Sequence, residues 1–347
     1  MTFRRMLISG TWLLVGVSSS QPIEGMDSDV VAFEQCLRRC FLPPVTVTFT
    51  VDGPMAEARG DRYYETKIAE ERDSASAQEV RLFGAIFSGD SGTVWSLIPS
   101  TFSVNYRTSF GLSPVWAATG CGRLDIVEDL LNMGAVLNPV LEQVASRTQG
   151  DGDEDGDEGP PGVYMPKAPL LLAAWNNDLT MAQLLLRRGA LPNGVSNAPG
   201  LSPILAPLHL AALRNAADIA PLLVFHGADP NAKCFEGATP LHLAIQTHGR
   251  EARDFCALLL ASGADVNRQD DSHRTALVDA IYSGSAQLIR LLVNAGANVN
   301  YRWTSARGKT WCPLRLAASL PGREDVAAVL REAGAKEVVP PDGQSEQ

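Results

Sequence analysis

The stretch that decides the fold is residues 237–267, which begin GATPLHLA (Gly237–Ala244) and end GADVN (Gly263–Asn267). The threonine-proline pair can cap and start a helix, because the missing N–H of proline costs nothing at the first helical position. A second, amphipathic helical run follows and stops where Gly263 can adopt the left-handed conformation. The stretch is therefore predicted to form two short helices and a turn, whose apolar faces need neighbours on both sides.

Copies of this unit recur in a constant register along the chain. The threonine position and the closing Gly-Ala pair are 21 residues apart in four copies, and the other two copies are slightly longer. The six copies run Ser113–Gly134, Ala168–Gly189, Ala206–Gly227, Thr239–Gly263, Thr275–Gly296 and Cys312–Gly334. Asparagine recurs three residues after the closing alanine, at Asn138, Asn193, Asn231, Asn267 and Asn300. A fixed period of this kind predicts a repeat architecture, and a degenerate unit over residues 80–105 is expected to cap its end.

The motif Thr-Pro-Leu-His followed by Gly-Ala-Asp-Val-Asn resembles the ankyrin repeat. The resemblance implies an all-α solenoid of six to seven helix-turn-helix units with hairpin-like turns, over about residues 80–336. The units are expected at residues 80–105, 113–138, 168–193, 206–231, 239–267, 275–300 and 312–336. The resemblance also implies that His209 and His242 are structural hydrogen-bonding groups for the neighbouring turn.

Residues 1–25 raise the question of compartment. Two arginines precede a 12-residue apolar run, Met6–Val17, and small residues follow it, which is the layout of a secretory signal. The run is too short to predict a membrane-spanning helix. A mitochondrial-type leader and a functional start at Met26 are the competing interpretations.

The N-terminal extension, residues 26–79, has no assigned fold. We expect an amphipathic helix over residues 30–41 and an extended segment over Val45–Val51. Cys36 and Cys40 would share one helical face as two half-buried thiols. A zinc site there would need two more ligands, which the flanking sequence does not offer.

An insertion at residues 139–166 interrupts the array and contains the acidic run Asp151–Gly159. Its spacing of aspartates matches the start of a calcium-binding EF-hand loop. However, the twelfth position is Gly162, where the bidentate glutamate belongs, and the flanking helices are missing. A solvated acidic loop is therefore expected, and the polar residues 337–347 are expected to form a tail.

Composition and motifs argue against several functions. The chain has 347 residues, of which 45% are hydrophobic and 20% charged, and its net charge is −10. Because a basic groove is absent, nucleic-acid binding is not expected. No nucleophile elbow, phosphate-binding loop, metal-ligand set or cofactor motif is found, so the chain is expected to be non-catalytic. An alternative, a small catalytic domain in the extension, is weakened by the lack of any histidine there.

The resemblance implies a monomeric scaffold or adaptor that binds a protein partner through the concave surface and turn tips of the repeats. Tip residues are not dictated by the fold, so specificity can lie in them. The predicted partner contacts are Lys233, Phe235, Glu236, Gln269, Asp271, Arg302, Trp303 and Arg307. A cytoplasmic location is expected, since proteins of this family are mostly intracellular and the six cysteines form no disulfide framework. If residues 1–20 are a true signal, a secreted effector that acts outside the producing cell is the alternative.

Overall fold

The two compact units of the chain, residues 1–207 and residues 208–347, are each built from short helix pairs. This architecture confirms the predicted all-α repeat fold. The computed structural model describes residues 4–8, 11–15, 32–33, 35–36, 75–108, 111–138, 168–194, 205–304 and 310–336. The expected extended segment Val45–Val51, the acidic run and the C-terminal tail lie outside the described residues.

Among its described residues, the first unit has a short hairpin, three helix pairs and helical residues within 32–36. Strands β1 (Arg4–Ile8) and β2 (Thr11–Val15) pair antiparallel within the segment expected to be a leader. The helices are α1 (Ala77–Ser88), α2 (Ser91–Ser100), α3 (Pro114–Gly120), α4 (Leu124–Asn132), α5 (Pro169–Asn176) and α6 (Leu179–Arg187). Each odd-numbered helix packs on the next even-numbered one, and α1, α3 and α5 pack on one another in order.

The second unit repeats this plan. Its helices are α7 (Pro207–Arg214), α8 (Ile219–Phe225), α9 (Pro240–His248), α10 (Arg253–Ala261), α11 (Ala276–Ser283), α12 (Ala286–Asn294), α13 (Pro313–Ser319) and α14 (Glu324–Glu332). The first helices α9, α11 and α13 pack in order, and so do the second helices α8, α10, α12 and α14. A 3-10 turn, Gly249–Ala252, accommodates the extra residues of the longest repeat. Two-residue strands β3 (Trp303–Thr304) and β4 (Thr310–Trp311) form a small hairpin before α13.

Helix α12 illustrates how the sequence sets each element. Its N-cap Ser285 accepts a hydrogen bond from the N–H of Leu288, and the helix buries Leu288, Ile289 and Leu292 on one face. It stops at Gly296, which has a φ of 90°. The glycines of the other five Gly-Ala pairs also have positive φ, so the predicted helix stops are confirmed.

A ladder of asparagine side chains joins successive repeats within each unit. The Nδ2 of Asn267 donates to the carbonyl of Gly296 at 3.0 Å, and its Oδ1 accepts from the N–H of Asn298 at 2.8 Å. The same pair of bonds is made by Asn105, Asn138, Asn231 and Asn300. Each rung therefore satisfies a helix-end carbonyl and the N–H two residues beyond it, which gives the recurrent asparagine its physical role.

Removing one rung should destabilise the second unit. Asn267→Ala loses both bonds, and we expect the free energy of unfolding to fall by about 1–2 kcal/mol, since water can replace part of these exposed contacts. Asn267→Asp keeps only the acceptor, so its free energy of unfolding should lie between those of the wild type and Asn267→Ala. Urea denaturation followed by circular dichroism measures this, with Asn294→Ala on the exposed end of α12 as the matched control. Equal losses in Asn267→Ala and Asn294→Ala would contradict a structural role for the ladder.

Candidate protein-binding surface

Three turns between repeats in the second unit form what we call the turn-tip surface, residues 232–238, 268–274, 301–304 and 310–311. The first turn is closed by hydrogen bonds from the Gly237 N–H to the Cys234 carbonyl and from the Cys234 N–H to the Ala238 carbonyl. Glu236 and Gly237 both have positive φ. A Cβ at Gly237 would lie 2.2 Å from Oδ1 of Asp271, so only glycine lets the second turn pack this closely.

Neighbouring turns are bonded to each other. The N–H of Asp271 donates to the carbonyl of Glu236 at 2.9 Å, and Nζ of Lys233 lies 3.8 Å from Oδ1 of Asp271. The hydroxyl of Tyr301 donates to the carbonyl of His273 at 3.1 Å, which links the second turn to the third. The three turns are therefore held in fixed positions relative to one another.

Asp270 organises the second turn from inside. It lies next to the predicted contact Asp271, but only 3% of it is accessible to solvent. Its carboxylate accepts hydrogen bonds from the N–H groups of Ser272 and Arg274 and pairs with the Arg274 guanidinium at 2.8 Å. These bonds hold the side chain inside the turn, as is common for aspartate in turns.

The third turn presents aromatic and basic groups. The rings of Tyr301 and Trp303 stack with centroids 6.0 Å apart and an angle of 10° between their planes. Trp303 lies opposite Trp311 across the hairpin, and the Arg315 guanidinium lies 5.4 Å from the centre of the Trp311 ring. Arg302 is exposed beside them. Stacking therefore fixes the orientation of a group of side chains that is well suited to contact a partner.

The structure brings together most of the predicted contact residues. Lys233, Glu236 and Asp271 lie on two adjoining turns, and Arg302 and Trp303 lie on the third. Gln269 is half-buried and forms an isolated bridge with Thr275 at the base of its turn. Phe235 lies within a 3-10 turn, and Arg307 falls outside the described residues.

A buried carboxyl group adjoins the turns and was missed by sequence reasoning. Asp279 on α11 is 5% exposed, and its Oδ2 accepts a hydrogen bond from Nε2 of Gln246 on α9 at 3.0 Å. Burial raises its pKa to about 7, an effect that Asp270 reinforces and Arg274 opposes. The equivalent position of the preceding repeat is Leu243, so an acidic residue at an apolar position of the repeat was the available signal. Beside it Tyr282 remains 42% exposed and extends the surface along α11.

The two repeat histidines are structural, as expected. Nε2 of His242 donates to the carbonyl of Arg274 at 3.2 Å, which fixes the proton on that nitrogen and leaves Nδ1 to accept from the Thr239 hydroxyl at 2.8 Å. Nε2 of His209 lies 3.0 Å from the carbonyl of Ala232. Burial lowers the pKa of both imidazoles to about 4. They therefore stay neutral at physiological pH and tie each first helix to the turn that follows.

Two other kinds of site are absent from the part of the chain that the structure describes. No group of three or more histidine, cysteine, aspartate or glutamate side chains there could hold a metal ion. None of the helices in those ranges is both long and apolar enough to cross a bilayer.

Comparison with known proteins agrees with this geometry. A family model described as ankyrin repeats, in three copies, matches residues 170–270 and 250–340. The chain is an ankyrin-repeat protein. The crystal structure of the human ASB11 ankyrin repeat domain superposes with a TM-score of 0.55 at 22% identity, covering 74% of this ankyrin-repeat chain and 99% of that domain. At that level of identity the likeness concerns the fold.

Curated relatives share shorter segments with this ankyrin-repeat protein. It is 43% identical over 56 residues to the E3 ubiquitin-protein ligase KEG of Arabidopsis thaliana, which is 16% of this chain and 3% of that one. It is 42% identical over 67 residues to the mouse B-cell lymphoma 3 protein homolog, which is 19% of this chain and 14% of that one. The matches therefore span only a small part of these relatives.

The buried histidines should make the protein sensitive to acid. Their folded-state pKa values lie below the ordinary value of 6.5, so their contribution to stability is present above pH 6.5 and is lost as the pH falls towards 4. At pH 5 each histidine should therefore contribute about 2 kcal/mol less to the free energy of unfolding than it does at neutral pH. Urea titrations at pH 7.5 and 5 measure the loss, which should shrink in His242→Gln and persist in the control His273→Gln, an exposed turn position. An unchanged loss in His242→Gln would contradict this role.

Asp279 should have the opposite pH dependence. Its folded-state pKa is raised from 3.8 to about 7, so its contribution is fully present below pH 3.8 and is lost as the pH rises through 7. Between pH 5 and 8 the wild type should lose about 2–3 kcal/mol of unfolding free energy that Asp279→Asn retains. The measured quantity is the change with pH in the difference between the two proteins, which removes any effect of the substitution that is the same at both pH values. A constant difference would show that the carboxyl group is ionised throughout this range.

Proposed function

We propose that this protein is a non-catalytic adaptor that binds a protein partner through the turn-tip surface and the adjoining first helices α9, α11 and α13. Ankyrin repeats generally mediate protein–protein interaction, and the described residues of this chain supply a suitable surface. The observation that carries the proposal is the bonding of three successive turns to each other. Because these side chains are already positioned, little conformational entropy is lost on binding.

The composition of the surface suits a protein rather than a small molecule. It combines the charged groups Lys233 and Asp271 with the stacked pair Tyr301 and Trp303 and the exposed Arg302. Tryptophan, tyrosine and arginine carry most of the binding energy in many protein interfaces, because they combine large apolar area with directed polar groups. The third turn is therefore the proposed energetic centre, with the charged first and second turns as its rim.

The cytoplasm is the proposed compartment, and a monomer is the proposed state. Sequencing the N-terminus of the mature protein tests the compartment. A chain that begins at Met1 or Met26 supports it, and a chain that begins just after Ser20 supports the secreted alternative.

The binding surface is tested by affinity capture with a matched control. The double variant Arg302→Ala, Trp303→Ala removes the centre of the third turn. The control, Arg253→Ala with Phe225→Ala, likewise removes one arginine and one aromatic residue, but from the second helices, where Phe225 is 85% exposed. We expect partners recovered by the wild type to fall at least about tenfold in the tip variant, the effect of losing ~1.4 kcal/mol or more, and to persist in the control.

Circular dichroism must show the same helix content in all three proteins, so that loss of capture reports on the surface and not on unfolding. Retention of every partner by the tip variant, or an equal loss in the control, would refute the turn-tip surface as the binding site.

A further inference from the structure

A short helical segment of the N-terminal extension packs into the core of the first unit. Phe33 and Cys36 both lie in it, and both are fully buried. The Phe33 ring packs against the Phe83 ring of α1, with centroids 6.0 Å apart. This contact fixes the segment on the first repeat and corrects the expectation that Cys36 is a half-buried thiol.

The same segment brings two thiols from distant parts of the chain into contact. Sγ of Cys36 lies 3.6 Å from Sγ of Cys121, although 85 positions separate them in sequence. Both residues are buried thiols, and only 7% of Cys121 is exposed. A disulfide needs its sulfurs about 2.05 Å apart, so a movement of about 1.5 Å would allow the bond to form.

The backbone at Cys121 can supply that movement. Cys121 is the C-cap of α3, where the helix ends, and not a residue in the helix interior. It is followed by Gly122, which has a φ of 69° and no heavy atom within 4 Å of the position that a Cβ would take. Small shifts at a helix end next to open space cost less than shifts within a packed helix.

We propose that Cys36 and Cys121 are a redox-responsive pair that closes as an intramolecular disulfide when the protein meets a small-molecule disulfide such as oxidised glutathione. One cysteine thiolate attacks the external disulfide, forming a mixed disulfide and releasing one small thiolate. The second cysteine thiolate then attacks the protein-bound sulfur of that mixed disulfide and releases the second small thiolate. The two protein thiols give up two protons and two electrons, and the external disulfide becomes two thiols.

The disulfide would link the N-terminal extension covalently to the second repeat of the array. Because the closed loop is long, the disulfide restricts the unfolded chain strongly and should stabilise the first unit. The burial of both sulfurs means that exchange waits for local opening of the N-terminal segment. This inference concerns the first unit and does not rest on the partner-binding proposal.

The test uses the full-length protein, first reduced and then incubated with oxidised glutathione at pH 8 under graded urea concentrations below the unfolding transition. We expect two of the six thiols to be lost and proteolytic mapping to recover a cross-linked peptide that joins Cys36 to Cys121. The thermal transition should rise by roughly 5–10 °C and return on reduction. Cys36→Ser and Cys121→Ser should each abolish the cross-link and the shift, whereas Cys256→Ser, a buried thiol of the second unit, should leave both unchanged.

Three outcomes would overturn the proposal. One is a mixed disulfide with glutathione that persists at Cys36 or Cys121, since a neighbouring thiol should resolve it. Another is a linkage of Cys36 to Cys40, which would show that the segment does not hold its sulfur against α3. The last is no loss of thiols at any urea concentration below the transition. Cys36→Ala and Cys121→Ala, compared by circular dichroism, establish whether either residue is also needed for folding.

Discussion

The asparagine ladder is the interaction on which the rest of the structure depends. A helix pair buries its apolar faces against any neighbour of suitable shape, so hydrophobic packing alone leaves the spacing between repeats loosely defined. The ladder removes that freedom, because each amide must reach a carbonyl and an N–H of the next repeat at once. Once the spacing is fixed, adjoining turns lie within hydrogen-bonding distance, as the contact between Asp271 and Glu236 shows. The candidate binding surface is thus a product of the repeat spacing.

Features set by backbone conformation at a single residue were predictable, and those set by side-chain contacts were not. The helix stops at the Gly-Ala pairs depend on backbone conformation alone, so a glycine such as Gly296 identifies them from the sequence. The burial of Asp270 depends instead on the hydrogen bonds that its carboxylate accepts within its turn, and the contact of Cys36 with Cys121 depends on where the N-terminal segment docks. The register of the repeat also carries the positions of the turns, so turn residues such as Lys233, Asp271 and Arg302 could be located from the sequence. Whether they bind a partner stays a prediction.

The buried titratable groups in the second unit serve two different ends. Both ring nitrogens of His242 are already hydrogen-bonded. Protonating Nδ1 would therefore direct a new N–H at the Thr239 N–H and hydroxyl that donate to it. Asp279 accepts a hydrogen bond from the Gln246 amide and lies near the Arg274 charge. Its ionisation adds negative charge beside the surface and leaves that hydrogen bond in place. The neutral imidazole therefore maintains the shape of the unit, whereas the carboxyl group sets the local charge next to the candidate binding surface.

The ladder has a consequence for how such a chain can evolve. Every rung joins an asparagine side chain to main-chain atoms, and main-chain atoms are the same whatever residue carries them. At these bonds a repeat therefore contacts its successor whatever side chains that successor carries. The ladder bonds would persist if copies of the unit were duplicated, exchanged or separated by inserted segments. Selection is then free to alter the exposed turns one repeat at a time.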